Sequence, residues 1–340
     1  MKSSERRQIV PAKPVSIIIC AHNEAANLAT NLPAILNQNY PGDGMHSFEV
    51  ILVDDYSTDE TKSVLDGLKK QYPSLTCLKN TGSPGKKAAL KTGVMAATYD
   101  WLLFTDADCQ PASNVWISGM VAPLAAGKEI VAGYSGHRRQ GGLLNAFIRC
   151  ETLHTFLQYS TYLAAGTPYM VVGRNYACKK DVFLKVQADA IWNSLPSGDD
   201  DLLMNAAGTK SNTAVVMERE CFTFSEAKST FADYVHQKKR HMSTGKLYKG
   251  HIKILLGCYS GAHAAVWLYF CIMLFSVYRD WVLIIMAVRC WLFWVTLASC
   301  ARRTGETRLL PFFPLFDLLW MIYNFAFAHY VLKKNKLSWK

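Results

Sequence analysis

Asp106 and Asp108 stand one residue apart in the run TDAD, directly after the apolar stretch WLLF. Two carboxylates at that spacing offer hard oxygen ligands of the kind that bind Mg2+ or Mn2+, and such a cation neutralises a diphosphate. A bare D-x-D is common, so its weight comes from its position at the end of an apolar strand. A second acidic group, Asp199, Asp200 and Asp201, follows Gly198 in SGDDDLL. Adjacent carboxylates repel, and crowding of this kind calls for a cation or a raised pKa and suits a general base; a solvated acidic loop is the plainer alternative. In SPGKKAALKTG, Gly85 precedes two lysines that open a helix, an arrangement suited to an anion. The run lacks the second glycine and the Ser/Thr of a Walker loop. Lys86 is the phosphate or base contact expected there, against the plainer reading of a solvated helix start.

Those groups need a scaffold that brings them to one place. The first 130 residues alternate apolar runs (VSIIIC, FEVILVDD, LTCLKN, DWLLFTDAD) with helical stretches at about Ala25 to Asn37, Glu60 to Lys70 and Lys86 to Ala97. Continuous apolar strands between amphipathic helices imply a mostly parallel sheet covered on both faces, so the expected fold is α/β of the doubly wound, Rossmann-like type. Ligands in such sheets bind beyond the carboxyl ends of the strands. Those ends carry Ala21-His22-Asn23-Glu24, then Asp54 and Asp55, then Asp106 and Asp108. Asp59, a lone acid before a helical stretch, reads as a helix cap.

The remaining composition bounds the rest of the chain. At 340 residues there is room for a catalytic domain of roughly 200 to 250 residues and an appendage. The residues divide into a basic segment over 1–14, a catalytic domain over 15–250 and a membrane region over 251–340. The net charge of +11 concentrates partly in Lys238, Lys239, Arg240, Lys246, Lys249 and Lys253, directly before the apolar C-terminal part. That is where a polybasic segment meets anionic lipid headgroups and marks the cytoplasmic side. No helix-turn-helix, zinc-finger or RNP pattern is visible, which argues against a nucleic-acid partner. The ten cysteines show no CxxC pair and several lie in apolar runs, so they read as reduced, mostly buried thiols. Met1 to Lys13 has no apolar core of a cleavable signal peptide.

Three apolar blocks follow, at about Ile254 to Phe275, Trp281 to Cys300 and Leu309 to Leu332, each near the roughly 20 residues a helix needs to cross a bilayer. The second carries Arg289, and the third carries Pro311, Pro314 and Asp317. Basic loops place the residues before block one and the ARRTGETR loop inside. Three full spans would put Lys333, Lys334, Lys336 and Lys340 outside. Block three is therefore read as re-entrant or lying along the interface. The stretch over 141–166 has apolar residues on a helical period, and both an interfacial helix and a helix packed on the core remain open.

Seven runs in order, SIIICAHNE, ILVDDYSTDET, GKKAALKTG, LLFTDADC, GRNYACKKDVF, GDDDLL and QKKRHMS, resemble the family 2 glycosyltransferases of GT-A fold, especially their membrane-attached bacterial branch. The resemblance covers about Val15 to Gly245. It implies that Ala21 and Glu24, with one or both of Asp54 and Asp55, form the nucleoside site, assisted by Lys86. Asp106 and Asp108 then hold metal and diphosphate, and Gly173 to Asn175 form the strip facing the donor and acceptor sugars. GDDDLL matches the motif whose second acid is the base, which makes that base Asp200, or Asp201 if the register shifts by one.

Gln237 and Arg240 match a Q/R-x-x-R-W motif in which His241 replaces the acceptor-side Trp, and this points to transfer of single sugars. The implied protein is an inverting transferase at the inner face of the cytoplasmic membrane. It would use a nucleotide-diphosphate sugar, UDP- before GDP-linked, with Mg2+ or Mn2+, and a lipid-linked or glycan acceptor. The rival readings are a nucleotidyltransferase, which needs a Gly-rich triphosphate loop that AHNEAAN does not supply, a processive polysaccharide synthase of the same family, and an inactive membrane scaffold.

Overall fold

The structure is a computed structural model that describes residues 13–41, 47–195 and 197–332. Most of the basic segment expected over 1–14, and the tail lysines from Lys333 onward, lie outside the described residues. In chain order the elements are β1 (Val15–Ala21), α1 (Ala25–Leu36), β2 (Phe48–Asp54), α2 (Thr61–Gln71), β3 (Leu75–Lys79), α3 (Lys86–Ala96), β4 (Trp101–Phe104), β5 (Gln110–Pro111) and α4 (Trp116–Ala125). There follow β6 (Ile130–Ala132), β7 (Ser135–His137), α5 (Leu143–Ala164), β8 (Tyr176–Lys179), α6 (Lys180–Gln187), α7 (Ala190–Asn193), α8 (Asp199–Ala207), β9 (Thr213–Val215) and β10 (Thr223–Ser225). The last elements are α9 (Phe231–Met242), α10 (Gly250–Met273), α11 (Arg279–Thr304) and α12 (Phe313–Leu332). These fall into two compact units. The first comprises residues up to Gly133, Val172–Gln187 and Ser211–Thr223; the second comprises Tyr134–Val171, Ala188–Lys210 and everything from Phe224 onward.

The first unit is built on a seven-stranded sheet in the order β3-β2-β1-β4-β8-β6-β9. The pairs β2/β3, β1/β2, β1/β4 and β6/β9 are parallel, while β8 runs antiparallel to both β4 and β6. Every residue of β1 and β4 is buried, which is why these strands read as unbroken apolar runs. On one face Ile17, Ile19, Leu52 and Leu103 join Leu28, Leu32, Trp116 and Met120 in the main core. On the other, α3 lies so close that a Cβ at Gly93 would sit 2.9 Å from Ile18 Cγ2 and 3.2 Å from Val53 Cγ2, so the helix needs glycine at that crossing.

The second unit is helical and is held by buried charge. Arg149 on α5 forms an ion pair with Glu306, which follows α11, and both side chains are almost fully enclosed. Glu151, also on α5, accepts Lys238 of α9 at 2.5 Å. Farther along, Asp317 of α12 receives Arg289 of α11 together with His263 and Trp267 of α10, the latter two at 3.0 Å. The two residues that mar blocks two and three as apolar spans are therefore each other's partners, the usual way a charge persists among apolar helices. Ile148, Ala227, Tyr234, Tyr323 and Phe327 form a small apolar core between α5, α9 and α12. The stretch expected over 141–166 is thus α5, with Arg149, Glu151, His154 and Phe156 all buried.

Three helical runs, Gly250–Met273, Arg279–Thr304 and Thr307–Phe327, are long and apolar enough to cross a membrane. They start and stop a few residues from the apolar blocks of the sequence, because helical hydrogen bonding continues through Arg302 and Arg303 to a left-handed Gly305. Pro311 falls in a 3-10 segment and Pro314 in the first turn of α12, where no helical N–H is lost. The third run differs from the first in cover: a third of its most apolar window is buried, against none of the Gly250–Met273 window.

A buried ion pair costs most when one member is left alone. Glu306→Ala strands Arg149 and is expected to destabilise the protein by about 3–5 kcal/mol, whereas the double replacement Arg149→Met with Glu306→Met should match or exceed the wild type. Melting temperatures of the three detergent-solubilised proteins check the order, and a single variant as stable as the double one would count against a role for the pair.

Candidate active site

The carboxyl ends of β1, β2 and β4 place the expected residues of the first unit on one rim. Ala21 ends β1 with its carbonyl accepting Asp55 N at 2.8 Å. His22 Nδ1 donates to the Asp55 carbonyl at 2.6 Å, which fixes the ring's tautomer. Asn23 takes a left-handed φ of 56° and its side chain accepts from Thr58 N. Glu24 N donates to the Thr61 hydroxyl, and Glu24 Oε2 accepts from Asn27. Asp59 accepts from Ala25 N and Thr61 N, so it caps α1 and α2 together. Its pKa is lowered, first by the Thr61 hydroxyl and further by those amides.

The acidic pair after β2 divides its work. Asp55 is almost fully buried and accepts from Asn80 Nδ2 at 2.5 Å and from Gly85 N at 2.8 Å, clamping the loop ahead of α3. Asp54 stays partly exposed and accepts from Ser57 N at 3.2 Å. Gly85 itself has φ 139° and ψ 149°, a conformation closed to residues with a Cβ, and it hands the chain to Lys86 at the first position of α3. Lys86 Nζ lies 2.8 Å from Asp106 Oδ1. Asp108 is raised above the ordinary carboxylate range by burial and then by Asp106, while Arg174 and the Cys109 thiol, 3.3 Å from Oδ1, act the other way.

The strip at 173–175 is a tight turn, with Asn175 N donating to Val172 O at 3.0 Å. Asn175, expected to face the sugars, has no exposed surface; its amide accepts from Trp116 Nε1 and donates to Cys221 O. Gly173 lies in the turn, and Arg174, inside the matched strip but given no role of its own there, carries a charge that opposes the upward shift of Asp108. The signal was available in the sequence: a lone basic residue between two residues of a matched motif.

The second unit holds the other two motifs. Asp199, Asp200 and Asp201 form the first turn of α8, where the helix N-terminus favours negative charge. Asp199 is buried, Asp200 is partly exposed, and the Asp201 carboxyl is tied down. Asp201 Oδ2 lies 2.8 Å from the Tyr248 hydroxyl and 3.0 Å from the Thr244 hydroxyl. Burial and then the neighbouring Asp200 push its pKa well up. The Thr244 hydroxyl is also 2.9 Å from His241 O, at the end of α9. One hydroxyl thus links the acidic turn to the helix carrying Gln237, Arg240 and His241. Of these, Gln237 and Arg240 are half-buried and His241 is exposed. Gly198 before the turn is left-handed, and a Cβ there would meet Thr244 Cγ2 at 2.2 Å.

The glycosyl transferase family 2 profile matches residues 16–222. The chain belongs to that family. Glycosyltransferase AglE of Haloferax volcanii is 33% identical to the family 2 chain over 120 residues, 35% of the chain and 38% of AglE. A beta-monoglucosyldiacylglycerol synthase of Synechocystis is 37% identical over 90 residues, 26% of the chain and 18% of the synthase. The chain therefore spans well under half the length of these relatives. The mannosyltransferase PcManGT of Pyrobaculum calidifontis, solved with GDP-Man and Mn2+, superposes with a TM-score of 0.56 at 18% identity, covering 90% of this chain and 87% of that one. The family 2 chain accordingly has the GT-A fold, with three apolar C-terminal helices.

The Asp201 carboxyl gives the family 2 protein a pH signature. In the unfolded chain it ionises near 3.9, while the fold keeps its proton to higher pH. Stability is therefore lost progressively as pH rises from about 4 to the raised folded value, and is recovered below about 4. Asp201→Asn keeps both hydroxyl partners and carries no such penalty. Its melting temperature should equal or exceed the wild type at pH 8, with the difference shrinking toward pH 4; a variant that melts far lower at pH 8, with the deficit fading as the pH falls, would show that the ionised carboxylate is what the fold needs.

Proposed function

We propose that this family 2 protein is an inverting, non-processive glycosyltransferase that moves a sugar from a nucleotide-diphosphate donor to a lipid-linked or glycan acceptor at a membrane. The observation that carries the reading is the rim of the first unit, where Asp106, Asp108 and Lys86 meet at the end of β4 and the start of α3. A divalent cation fits there. Asp108 is a half-buried carboxyl whose proton is held by desolvation and by the charge of a second one, and positive charge relieves both. Among the described residues no group of three or more His, Cys, Asp or Glu holds a metal unaided, so a two-carboxylate site needs further oxygens from a bound diphosphate. Mg2+ or Mn2+ held by Asp106 and Asp108 would supply charge neutralisation for the leaving nucleotide.

The rest of the reaction falls to the chain's own groups. Glu24 and Asp54, which keep carboxylate edges partly exposed at the rim, are assigned to the nucleoside with the backbone of Ala21; Asp55 holds the loop that supports them. Lys86 shifts from Asp106 to the phosphates as the donor binds. Asp200 is assigned as the base: it takes the proton of an acceptor hydroxyl, that oxygen forms the new bond to the anomeric carbon, and the bond to the diphosphate breaks with inversion. Asp201 is a poor base because the fold favours its neutral form, and Asp199 is enclosed, its carbonyl accepting from Trp192 Nε1 at 3.3 Å. Gly173, Gln237, Arg240 and His241 are assigned to the acceptor and diphosphate side.

A UDP-sugar is the favoured donor, and the catalytic domain is assigned to the cytoplasmic face of the inner membrane, anchored by α10 to α12. The basic residues that support this orientation precede α10 at Lys246 and Lys249, open it at Lys253 and end α11 at Arg302 and Arg303. A thiol placed at Ser276, in the turn between α10 and α11, should react with a membrane-impermeant maleimide on intact cells of a variant whose native Cys258 and Cys271 are replaced. Labelling only after the membrane is opened would reverse the orientation.

The function itself is tested with lipid-reconstituted protein, a panel of UDP- and GDP-sugars, Mn2+ and an extract of membrane lipids as acceptor. Metal-dependent release of one nucleotide is expected, with an anomerically inverted product by NMR. Asp200→Asn should lose about 10²–10⁴-fold in turnover while still binding the donor. Full turnover in that variant would move the base elsewhere, and chains of many sugars on one acceptor would favour the processive alternative.

A further inference from the structure

We propose that Arg174 is a phosphate-binding cation of the donor site, held beside Asp108 by its backbone and transferred to the diphosphate when a divalent cation takes the two aspartates. The inference rests on the donor-site reading above and adds a residue and a binding order to it.

The backbone argument comes first. The carbonyl of Arg174 accepts two hydroxyls, Thr105 Oγ1 at 3.0 Å and Thr223 Oγ1 at 3.1 Å. Thr105 directly precedes Asp106, so the turn is pinned to the strand end that carries the two aspartates. The next residue is fixed as firmly: Gly133 N donates to Asn175 O at 3.0 Å, and the Asn175 amide is locked between Trp116 and Cys221. A turn held from so many sides has a purpose beyond closing a loop, because the Val172–Asn175 bond alone would close it. Its one long polar side chain is Arg174, which is only half-buried. The Thr105 bond sets this residue beside the chain that enters Asp106, at the metal end of the rim, and its charge there opposes the upward shifts of Asp108 and Cys109.

The charges then dictate an order. Asp106 and then Glu24 add negative charge at Asp108, Arg174 opposes them there, and Lys86 pairs with Asp106. A divalent cation added alone turns a slightly negative cluster positive and meets repulsion from both basic side chains. A diphosphate added with it restores the balance and gives Lys86 and Arg174 new partners. Guanidinium suits this role because its planar fork engages two phosphate oxygens at once. Metal and nucleotide are therefore expected to bind synergistically, with Arg174 as one source of the coupling.

The test is calorimetry on the full chain in detergent, with Mn2+ alone and with UDP or GDP in the presence of Mn2+, for wild type, Arg174→Met and Arg174→Lys. Because Thr105 and Thr223 hold the carbonyl and not the side chain, the variants should melt like the wild type. In Arg174→Met, Mn2+ alone should bind roughly tenfold tighter, and the nucleotide with Mn2+ roughly tenfold weaker; Arg174→Lys should recover part of the nucleotide affinity. Unchanged nucleotide affinity in Arg174→Met overturns the assignment and leaves Arg174 a counter-ion of Asp108. A parallel fall of both affinities with the melting temperature also overturns it, in favour of a role in the fold. A wild-type chain that binds no nucleotide with Mn2+ brings down the donor-site reading itself, a result distinguishable from both.

Discussion

A carboxylate buried at the end of a parallel strand must find hydrogen-bond donors, and Asp55 finds two in the loop that leads to α3. The consequence runs through the whole rim. With Asn80 and Gly85 fastened to β2, α3 can start only where it does, and its first residue brings an ammonium to Asp106. The same loop gives its Gly82 carbonyl to the Tyr56 hydroxyl, and Tyr56 holds the left-handed conformation that turns the chain after the acidic pair. Across β1, His22 and Asn23 bond to the 55–58 segment, so the strand ends of β1 and β2 form one rigid lip. Few of these contacts are apolar. The sheet below supplies the stability, and the polar lip fixes positions that burial alone leaves loose.

The second unit solves a different problem with the same means. Apolar helices have no reason to prefer one register over another when their surroundings are equally apolar, and a buried charge pair supplies that preference at some cost in desolvation. Asp317 draws on α10 and α11 together through His263, Trp267 and Arg289. Arg149 with Glu306, and Glu151 with Lys238, do the same for α5 against the end of α11 and against α9. The helix bearing the basic motif is thus fastened by specific polar contacts as well as by the apolar cluster around Tyr234 and Tyr323.

The strands and helices of the first unit were legible because β1, β2 and β4 are buried on both faces and leave unbroken apolar runs, and because loop residues such as Gly85 and Asp59 have conformational or capping reasons to be what they are. The Asp54/Asp55 pair was legible as a pair at a strand end but not as a division of labour, since only the donors at Asn80 and Gly85 distinguish the two acids. Asp201 could not be told from Asp200 for the same reason: its partners stand 43 and 47 residues away. Arg149 gave no signal of its own, because its partner lies 157 residues along the chain and no local period encodes it. Arg289 and Asp317 were each visible as a flaw in an apolar block. A sequence shows such flaws singly, and only the fold pairs them.

The Thr244 hydroxyl has one hydrogen and two acceptors within reach, His241 O and Asp201 Oδ2. An ionised Asp201 would compete with His241 O for that one hydrogen, each keeping a second donor in the Tyr248 hydroxyl and Thr244 N respectively. A neutral Asp201 resolves the conflict by donating to Thr244, which then donates to His241 O, while Tyr248 donates to Asp201. This ordering agrees with the direction in which burial moves the carboxyl. It also has a structural meaning: the start of α8 and the end of α9 are joined by a chain of hydrogen bonds that needs no net charge. In the proposed reaction this leaves Asp200, a partly exposed acid of the turn beside the buried Asp199, to meet the acceptor. Asp200 keeps an exposed edge, so an acceptor hydroxyl can approach it while Asp201 serves the fold.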